Sequence, residues 1–460
     1  MAARIGKIIL GILGAYLVYA ILTAALVPIF GGRAPSIEKT GGMPPAVGGE
    51  RAGCIEDNEQ ALIIRLQLIE QAQEEIILST FDFGNDESGH DMMAALKHAA
   101  ERGVDVKILV DSVYGGFTVL RSPEFRALSS CERVEIKLYN PVNLLMPWKA
   151  NYRMHDKYLI IDGETYLLGG RNTTDLFLGA PQSKQNMDRE VLVCTDYPDE
   201  NHSVHQVRSY FDQVWALDCC KTLHFRGTES ALETLDQRYQ ELTERYPQML
   251  ESVDWKEMTI PVRQICFFSN PVADWNKEPQ LWRELCAAMN QGDEILIQTP
   301  YIICSNEMYD SLTNLTEDGK HIQIVTNAVE NGANPWGCTD YLNQQHKIRA
   351  TGVEVFEYIG EHSLHTKTVL VNDRMSMVGS FNMDMRSAYL DTETMLYIDS
   401  PEINAFLREG IERDMEQCNR VLPDGTEIPG SAYEERPFGV GKMIFYTILR
   451  ILIIPFRHLL

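Results

Sequence analysis

The sequence has little positive charge for its size. Its 41 lysines and arginines stand against 65 aspartates and glutamates, which gives a net charge of −24. Binding to nucleic acid depends mainly on cationic side chains that displace counterions from phosphates. A chain this acidic is therefore not expected to bind nucleic acid, and an anionic membrane surface should repel its soluble part. Any contact with lipid must come from apolar segments.

Cysteine patterns that would define a disulfide framework or a zinc site are also missing. Ten cysteines are spread over 460 residues, with no C-x-x-C pair and no zinc-finger spacing. We interpret them as buried reduced thiols, which favours a catalytic domain that faces the cytoplasm. No cluster of metal-ligand residues is evident, so we expect a site that works without a metal or another cofactor.

Long uncharged runs are scarce, and the one that could span a membrane lies near the N-terminus. Residues 8–30 contain no charge and are long enough to cross a bilayer as a helix. A signal peptide is the alternative, but its apolar core is normally shorter and no small-x-small cleavage site clearly follows. The sequence therefore predicts a single-pass anchor in the cell membrane. Positive charges flank both ends of this run, so they do not specify its orientation.

The rest of the chain repeats one order of strands and helices. Residues 75–83, 104–110 and 134–139 predict strands separated by helices, and residues 294–302, 322–326 and 353–358 repeat the pattern. This alternation predicts an α/β fold with two pseudo-equivalent lobes, each a mainly parallel or mixed sheet flanked by helices. The predicted division is an anchor (8–30), a flexible tether (31–53), a first lobe (54–222), a helical connector (223–262), a second lobe (263–420) and a C-terminal apolar segment (437–460). Basic residues interrupt that last segment, so it should form an interfacial helix on the membrane or a helix docked on the core.

Two histidine–lysine motifs occupy corresponding places in the halves. The first has His155, Lys157 and Asp162, followed by Gly170 and Asn172. The second has His365 and Lys367, followed by Ser380 and Asn382. Residues i and i+2 of a strand share one face, so each histidine should project beside its lysine.

If the two pairs meet, the resulting pocket suits a phosphate diester. Lysine and asparagine side chains would stabilise charge on the phosphoryl oxygens, while one histidine attacks phosphorus and the other serves as general acid and base. A catalytic imidazole also needs a partner that fixes its tautomer. Glu190 and Glu393 are the candidates, because each follows its own motif at a comparable distance.

These residues resemble the phospholipase D superfamily, whose signature is a pair of H-x-K-x4-D-x6-G-[SG]-x-N motifs. Within it the chain is similar to bacterial cardiolipin synthases, most nearly those of type C, over about residues 60–400. The resemblance implies phosphatidyl transfer through a covalent phosphohistidine. The donor would be phosphatidylglycerol or phosphatidylethanolamine, the acceptor the hydroxyl of a second phosphatidylglycerol, and the product cardiolipin. With water as acceptor, the same site would be a phospholipase D-type phosphodiesterase.

One position departs from the signature: Asn372 stands where the second motif should have its aspartate. An asparagine keeps the shape and one acceptor but loses the charge, so we expect a supporting residue and retained activity. The alternative is a non-catalytic lipid-binding protein whose second motif has decayed. Because the first motif is complete, we predict His155 as the nucleophile and His365 as the general acid and base.

Overall fold

The computed structural model describes residues 2–35, 46–332 and 334–460. The first half begins with one long helix and continues with short strands and helices that build the first lobe. In chain order these elements are α1 (Ala2–Phe30), β1 (Glu50–Ile55), α2 (Asn58–Gln71), β2 (Glu75–Thr80), α3 (Glu87–Glu101), β3 (Asp105–Asp111), α4 (Gly115–Val119), α5 (Pro123–Leu128), β4 (Val134–Tyr139), β5 (Tyr158–Ile161), β6 (Thr165–Gly169), β7 (Asn186–Met187), β8 (Glu190–Thr195), α6 (Ser203–Trp215) and β9 (Lys221–Leu223).

The second half repeats this order after one connecting helix. Its elements are α7 (Glu229–Arg245), β10 (Ile260–Pro261), β11 (Gln264–Ser269), α8 (Gln280–Met289), β12 (Glu294–Gln298), β13 (Ile302–Ile303), α9 (Asn306–Glu317), β14 (His321–Asn327), α10 (Pro335–Ala350), β15 (Glu354–Tyr358), β16 (Ser363–Leu364), β17 (Thr368–Val371), β18 (Met375–Gly379), β19 (Met383–Asp384), α11 (Met385–Tyr389), β20 (Thr394–Asp399), α12 (Pro401–Met415), β21 (Cys418–Val421), β22 (Glu427–Pro429) and α13 (Val440–Leu452). Within the described residues, 3₁₀ helices occupy Pro147–Asn151, Pro247–Leu250 and Ile454–Leu459.

Two nine-stranded mixed sheets confirm the predicted fold of two pseudo-equivalent lobes. The first has the order β10-β1-β8-β6-β5-β2-β3-β4-β9 and the second β11-β20-β18-β17-β12-β14-β15-β21-β22. The orders superimpose when β1 is matched to β11 and β9 to β21. In each sheet three neighbouring strands run parallel, β2-β3-β4 and β12-β14-β15, and their other neighbours pair antiparallel.

Alternating side chains of the strands enter different apolar cores. Ile76 and Leu78 of β2 face the outer core of the first lobe with α2, α3 and α5, whereas Ile77 faces inward. The inward core contains residues of both sheets together with α6 and α12, so the sheets share it. An equivalent outer core joins the second sheet to α8, α9 and α10. This shared core holds the two halves of the site in register.

Several predicted boundaries differ from the structure. The first lobe starts at Glu50 rather than at residue 54, because β1 pairs antiparallel with β8. Residues 36–45 of the predicted tether lie outside the described residues. The predicted connector is integrated with the first lobe: Leu235 and Leu242 of α7 enter its outer core, and β10 pairs with β1. The many charged residues of α7 suggest a separate connector, but several of its few apolar residues are buried against the first lobe.

The two chain ends meet on one side of the molecule. Among the described residues, one helix is long and apolar enough to cross a membrane, residues 4–30, with mean hydropathy 2.2. Near its C-terminal end, the carbonyl oxygen of Ala25 lies 2.7 Å from Nε2 of His458. Helix α13 buries Tyr446 and Leu449 against the second lobe and leaves an apolar row exposed. That row consists of Met443, Ile444, Phe445, Ile448, Ile451 and Leu452.

Candidate active site

Each histidine–lysine segment is bound to the opposite lobe through its backbone. Met154 forms a parallel bridge to Thr392, and the His155 amide donates to the Thr392 carbonyl at 3.2 Å. In the other direction, β16 pairs with β7 and the His365 amide donates to the Met187 carbonyl at 2.8 Å. The expectation that the motifs lie on strands is therefore wrong, since β5 and β17 begin only after the lysines. The extended segments are held by strand pairing across the lobes instead.

His155 is paired with a carboxyl group from the second lobe. Its Nδ1 lies 2.9 Å from Oε1 of Glu393, which follows β19 and α11 and precedes β20. The same carboxyl group accepts hydrogen bonds from the hydroxyls of Ser387, at 2.6 Å, and of Ser380. The edge of the His155 ring contacts Phe81, with ring centroids 4.8 Å apart. These contacts fix the imidazole and leave Nε2 as the ring nitrogen that is free to react.

His365 is paired in the same way with a carboxyl group from the first lobe. Its Nδ1 lies 2.5 Å from Oδ2 of Asp188, and its ring packs against Phe177 at 4.8 Å between centroids. Unlike His155, it also has a lysine against the ring, because Nζ of Lys367 lies 2.6 Å from Nδ1. Each lobe therefore supplies one histidine and the carboxyl group that orients the other histidine.

The two lysines are buried at equivalent positions. Lys157 and Lys367 are 3% and 2% exposed, and each ammonium group donates to the carbonyl of the histidine two residues earlier. Lys367 lies 3.7 Å from Asp188, and Lys157 lies over the face of the Phe81 ring at 5.1 Å. The lysine carbonyls accept in turn from the amides of Gly169 and Gly379. Two buried lysines thus adjoin the two imidazoles, and in their charged form they suit an anionic phosphodiester.

Burial and the crowded cations lower the pKa of both histidines. Burial first, and then Lys157, brings the pKa of His155 well below its ordinary value, while burial and Lys367 lower that of His365 to about 4. Both imidazoles are therefore neutral at pH 7, as a nucleophile requires. Burial also lowers the pKa of Lys157 to about 7, and Lys367 adds to this effect. The charge of each lobe's lysine is felt at the histidine of the other, so the two motifs form one site.

The pKa values of the two buried carboxyl groups are shifted in opposite directions. Burial raises the pKa of Glu393 well above its ordinary value, and Lys157 and the serine hydroxyls only oppose that rise. Burial would also raise the pKa of Asp188, but Lys367 and His365 outweigh it and bring the value down to about 2. As the pH falls, Glu393 is therefore protonated long before Asp188.

The glycine, serine and asparagine positions of the two motifs directly follow β6 and β18. Asn172 and Asn382 are buried, and neither Oδ1 has a hydrogen-bond partner among the described residues. The Asn382 amide donates to the Tyr301 hydroxyl at 3.1 Å. Gly170 leaves room for Asp188, because a Cβ on Gly170 would lie 2.3 Å from Oδ1 of that residue. Gly170 therefore shapes the site without contributing a side chain to it.

Glu190 does not fill the predicted role. It lies in a buried ion pair with Arg65, with both oxygens 2.5 Å from the guanidinium nitrogens. Strand register explains why the prediction of Glu190 was wrong. Gly169 is opposite Glu190 in the first lobe, whereas the equivalent Gly379 is opposite Met395 in the second, so Glu190 corresponds to Met395. Asp188, rather than Glu190, is therefore the structural counterpart of Glu393. Residues 188–190 contain both Asp188 and Glu190. The loops that follow Gly169 and Gly379 differ in length, so the sequence does not show which of the two carboxyl groups aligns with Glu393.

Asp162 and Asn372 lie away from the histidines, at the hairpin turns that follow β5 and β17. Asp162 accepts hydrogen bonds from the amides of Gln73, Glu74 and Glu75 at the start of β2. Since β2 and β5 are antiparallel, this is the end of β2 opposite the site. Asn372 accepts in the same manner from the amides that begin β12. The structure therefore gives both residues a part in the fold and places neither in the pocket.

A duplicated α/β fold whose lobes exchange histidine and carboxylate partners around two lysines defines a phospholipase D-like protein. The comparison with protein families agrees, because residues 65–215 and 285–415 match the family described as "Cardiolipin synthase, PLD-like domain". The chain belongs to this family.

Curated relatives and solved structures extend the comparison. Cardiolipin synthase C of Escherichia coli K12 is 25% identical over 386 residues, which covers 75% of this chain and 80% of the relative. Cardiolipin synthase of Oceanobacillus iheyensis is 24% identical over 377 residues, or 82% of this chain and 69% of the relative. The crystal structure of phosphatidylserine synthase from Haemophilus influenzae Rd KW20 aligns with a TM-score of 0.60 at 14% identity, over 90% of this chain and 97% of that one. This last likeness concerns the fold alone.

Proposed function

We propose that the protein is a membrane-anchored enzyme that forms cardiolipin from phosphatidylglycerol and a second phospholipid through a covalent phosphohistidine. Its class, a phosphatidyltransferase of the phospholipase D superfamily, follows from its family. The observation that supports the chemistry is the exchanged pairing of His155 with Glu393 and of His365 with Asp188. In the unliganded protein both imidazoles are neutral and each is held at Nδ1 by a carboxyl group, an arrangement that suits two Nε2 atoms acting on one phosphate.

The first step transfers the phosphatidyl group to the enzyme. Nε2 of His155 attacks phosphorus, and the bond from phosphorus to the head-group oxygen breaks. The bound phosphodiester anion favours a second proton on His365, and the resulting imidazolium gives its Nε2 proton to the departing alkoxide, which leaves as glycerol when the donor is phosphatidylglycerol. Lys157 and Lys367, with the amides of Asn172 and Asn382, stabilise the negative charge on the phosphoryl oxygens.

The second step releases the lipid. His365, now neutral, takes the proton from the hydroxyl of a second phosphatidylglycerol, whose oxygen attacks phosphorus. The nitrogen–phosphorus bond breaks and returns His155 to its starting state. The contact of His155 Nδ1 with Glu393 supports its role as the nucleophile, because a proton held on Nδ1 leaves Nε2 unprotonated.

The test is to incubate the purified full-length protein with labelled phosphatidylglycerol, alone or with phosphatidylethanolamine, and to separate the lipids. Cardiolipin with glycerol supports the proposal, and cardiolipin with ethanolamine identifies phosphatidylethanolamine as the donor. Phosphatidic acid alone would replace the proposal with hydrolysis, and no product would favour a lipid-binding protein. A His155→Asn variant is the matched control for contaminating activity. The cytoplasmic orientation remains part of the proposal and calls for protease protection in sealed vesicles.

A further inference from the structure

We infer that the loop formed by residues 142–146 is inserted into the hydrocarbon layer of the membrane beside α1. The inference rests on the membrane anchor of the proposed function, but not on the reaction. The loop is apolar and exposed, with Leu144 67% and Leu145 81% accessible, and it lies in the first lobe rather than in an anchor segment. Side chains of this kind are not expected to face water without a partner.

Hydrogen bonds fix the position of the loop along α1. The hydroxyl of Tyr16 donates to the carbonyl of Leu144 at 3.1 Å, and that of Tyr19 donates to the carbonyl of Leu145 at 2.8 Å. These tyrosines lie in the middle of the apolar helix. If α1 spans a bilayer, the tip of the loop must therefore lie below the membrane surface.

Polar contacts near the end of α1 mark where that surface lies. Asn151 and His458 bind the carbonyls of Ala24 and Ala25 at 2.8 and 2.7 Å. Just beyond, Trp148 and Trp275 line a cavity of about 410 Å³ with residues 27 and 31–33, and tryptophan is enriched at membrane interfaces. A hydrocarbon layer of about 30 Å takes about 20 residues, which leads back from Ala24 to the charge of Arg4.

The depth of the loop follows from helix geometry. At about 1.5 Å per residue, Tyr19 and Tyr16 lie about 8 and 12 Å from the level of Ala24. Leu144 and Leu145 would then reach the upper part of the acyl chains. Because the loop precedes His155 by about ten residues, its insertion would hold the active site close to the leaflet that carries the substrate.

The backbone of the loop suits a site without water. Irregular backbone is rarely stable in lipid, because unpaired carbonyl and amide groups are costly there. Here the tyrosine hydroxyls bind the two carbonyls at the tip. Oδ1 of Asn143 accepts from the amides of Leu145 and Met146 at 2.9 and 3.2 Å. A loop that only faced water would not need these partners.

Photolabelling of the full-length protein tests this inference without depending on catalysis. The protein is placed in nanodiscs of phosphatidylglycerol and phosphatidylethanolamine that contain a phospholipid with a diazirine in its acyl chain, and adducts are mapped by mass spectrometry. We expect adducts on residues 142–146 and on α1, and none on Leu250, which is 57% exposed on the first lobe. Adducts on α1 without adducts on the loop would overturn the inference, as would the absence of adducts on both.

A variant and a parallel assay separate this inference from the proposed function. Leu145→Asp should reduce adducts on the loop by about tenfold or more, because a carboxylate is costly in hydrocarbon, whereas Leu250→Asp should leave them unchanged. An unchanged adduct yield in Leu145→Asp would count against insertion. Cardiolipin formation is measured in the same discs: product without loop adducts contradicts only the insertion, and loop adducts without product contradict only the proposed reaction.

Discussion

The two lobes share one backbone arrangement around the site but differ in the side chains placed on it. In the first lobe Gly170 leaves space for Asp188, and in the second the hydroxyl of Ser380 binds Glu393. The shorter carboxyl group faces His365 beside Lys367, and the longer one faces His155 with two hydroxyl partners. Duplication therefore preserved the positions of the reacting groups, while local substitutions made their protonation unequal. This inequality suits a reaction in which one histidine attacks and the other transfers protons.

Replacing the histidines one at a time should give the largest difference between the two lobes in catalytic activity. His155→Asn should lower cardiolipin formation by about 10⁴-fold or more and leave no trapped phosphoenzyme, because the nucleophile is lost. His365→Asn should also be slow, yet a labelled phosphoenzyme should still accumulate slowly. The measurement is labelling with phosphatidylglycerol carrying ³²P, quenched in alkaline detergent because the nitrogen–phosphorus bond of a phosphohistidine hydrolyses in acid. Label that persists in His155→Asn and disappears in His365→Asn would reverse the assigned roles.

The orienting carboxyl groups should give the next largest effect. Glu393→Gln and Asp188→Asn should each lower kcat by about 10²- to 10⁴-fold, since a mispositioned imidazole or the wrong tautomer follows. Glu190→Gln is the matched control. It should retain activity but lose about 3–5 kcal/mol of stability, because Arg65 loses its buried partner. Activity assays with thermal unfolding distinguish the cases, and a large activity loss in a fully folded Glu190→Gln would restore Glu190 to the site.

The pH profile of activity tests whether the equivalent groups of the two lobes gain and lose protons at different pH values. Lys157 is charged below its pKa of about 7 and neutral above it, so kcat/KM should fall as the pH rises through that value. On the acid side, activity should fall as Glu393 is protonated, well before Asp188 with its pKa of about 2. Lys157→Arg should shift the basic limb to higher pH, because arginine stays charged. Its maximal activity should be roughly tenfold lower, because arginine is not interchangeable with lysine at a fitted site. Lys107→Arg, at a half-buried lysine of β3 that pairs with Glu75, should leave both limbs in place, and an unmoved basic limb in Lys157→Arg would assign that limb to another group.

Periodicity and motif spacing predicted much of this molecule. Alternating apolar strands such as 134–139 and the repeated order predicted the two α/β lobes, which the structure and the family comparison confirm. Spacing also selected both histidines and both lysines, which the structure brings together. These features depend on local pattern, which a sequence displays directly.

Features that depend on pairing between the lobes could not be predicted. Asp188 was missed in favour of Glu190 because only strand register shows that Asp188, two residues before β8, is the counterpart of Glu393. The position of the histidine segments before their strands follows from bridges to residues about 180 to 240 positions away. The tether boundary failed for the same reason, since β1 is a strand only through its partner β8.

The smallest effect should come from Asn372, the one departure from the motif. Asn372 and Asp162 both have positive φ, 48° and 51°, a conformation that asparagine and aspartate tolerate. Each side chain caps the start of the neighbouring strand. Oδ1 of Asn372 accepts hydrogen bonds from two backbone amides, as Oδ1 of Asp162 does. Asn372→Asp should therefore change cardiolipin formation by less than about twofold and stability by less than about 0.5 kcal/mol.

Asp162→Asn supplies the contrast, because Asp162 uses both oxygens and its second oxygen accepts from the Gln73 amide. That variant should lose about 1–2 kcal/mol of stability in denaturant unfolding, with activity retained in the folded fraction. A tenfold gain of activity in Asn372→Asp would show instead that the second lobe has decayed. Unchanged activity would mean that this position serves to build a turn, so that the two lobes remain equivalent in fold where they differ in motif.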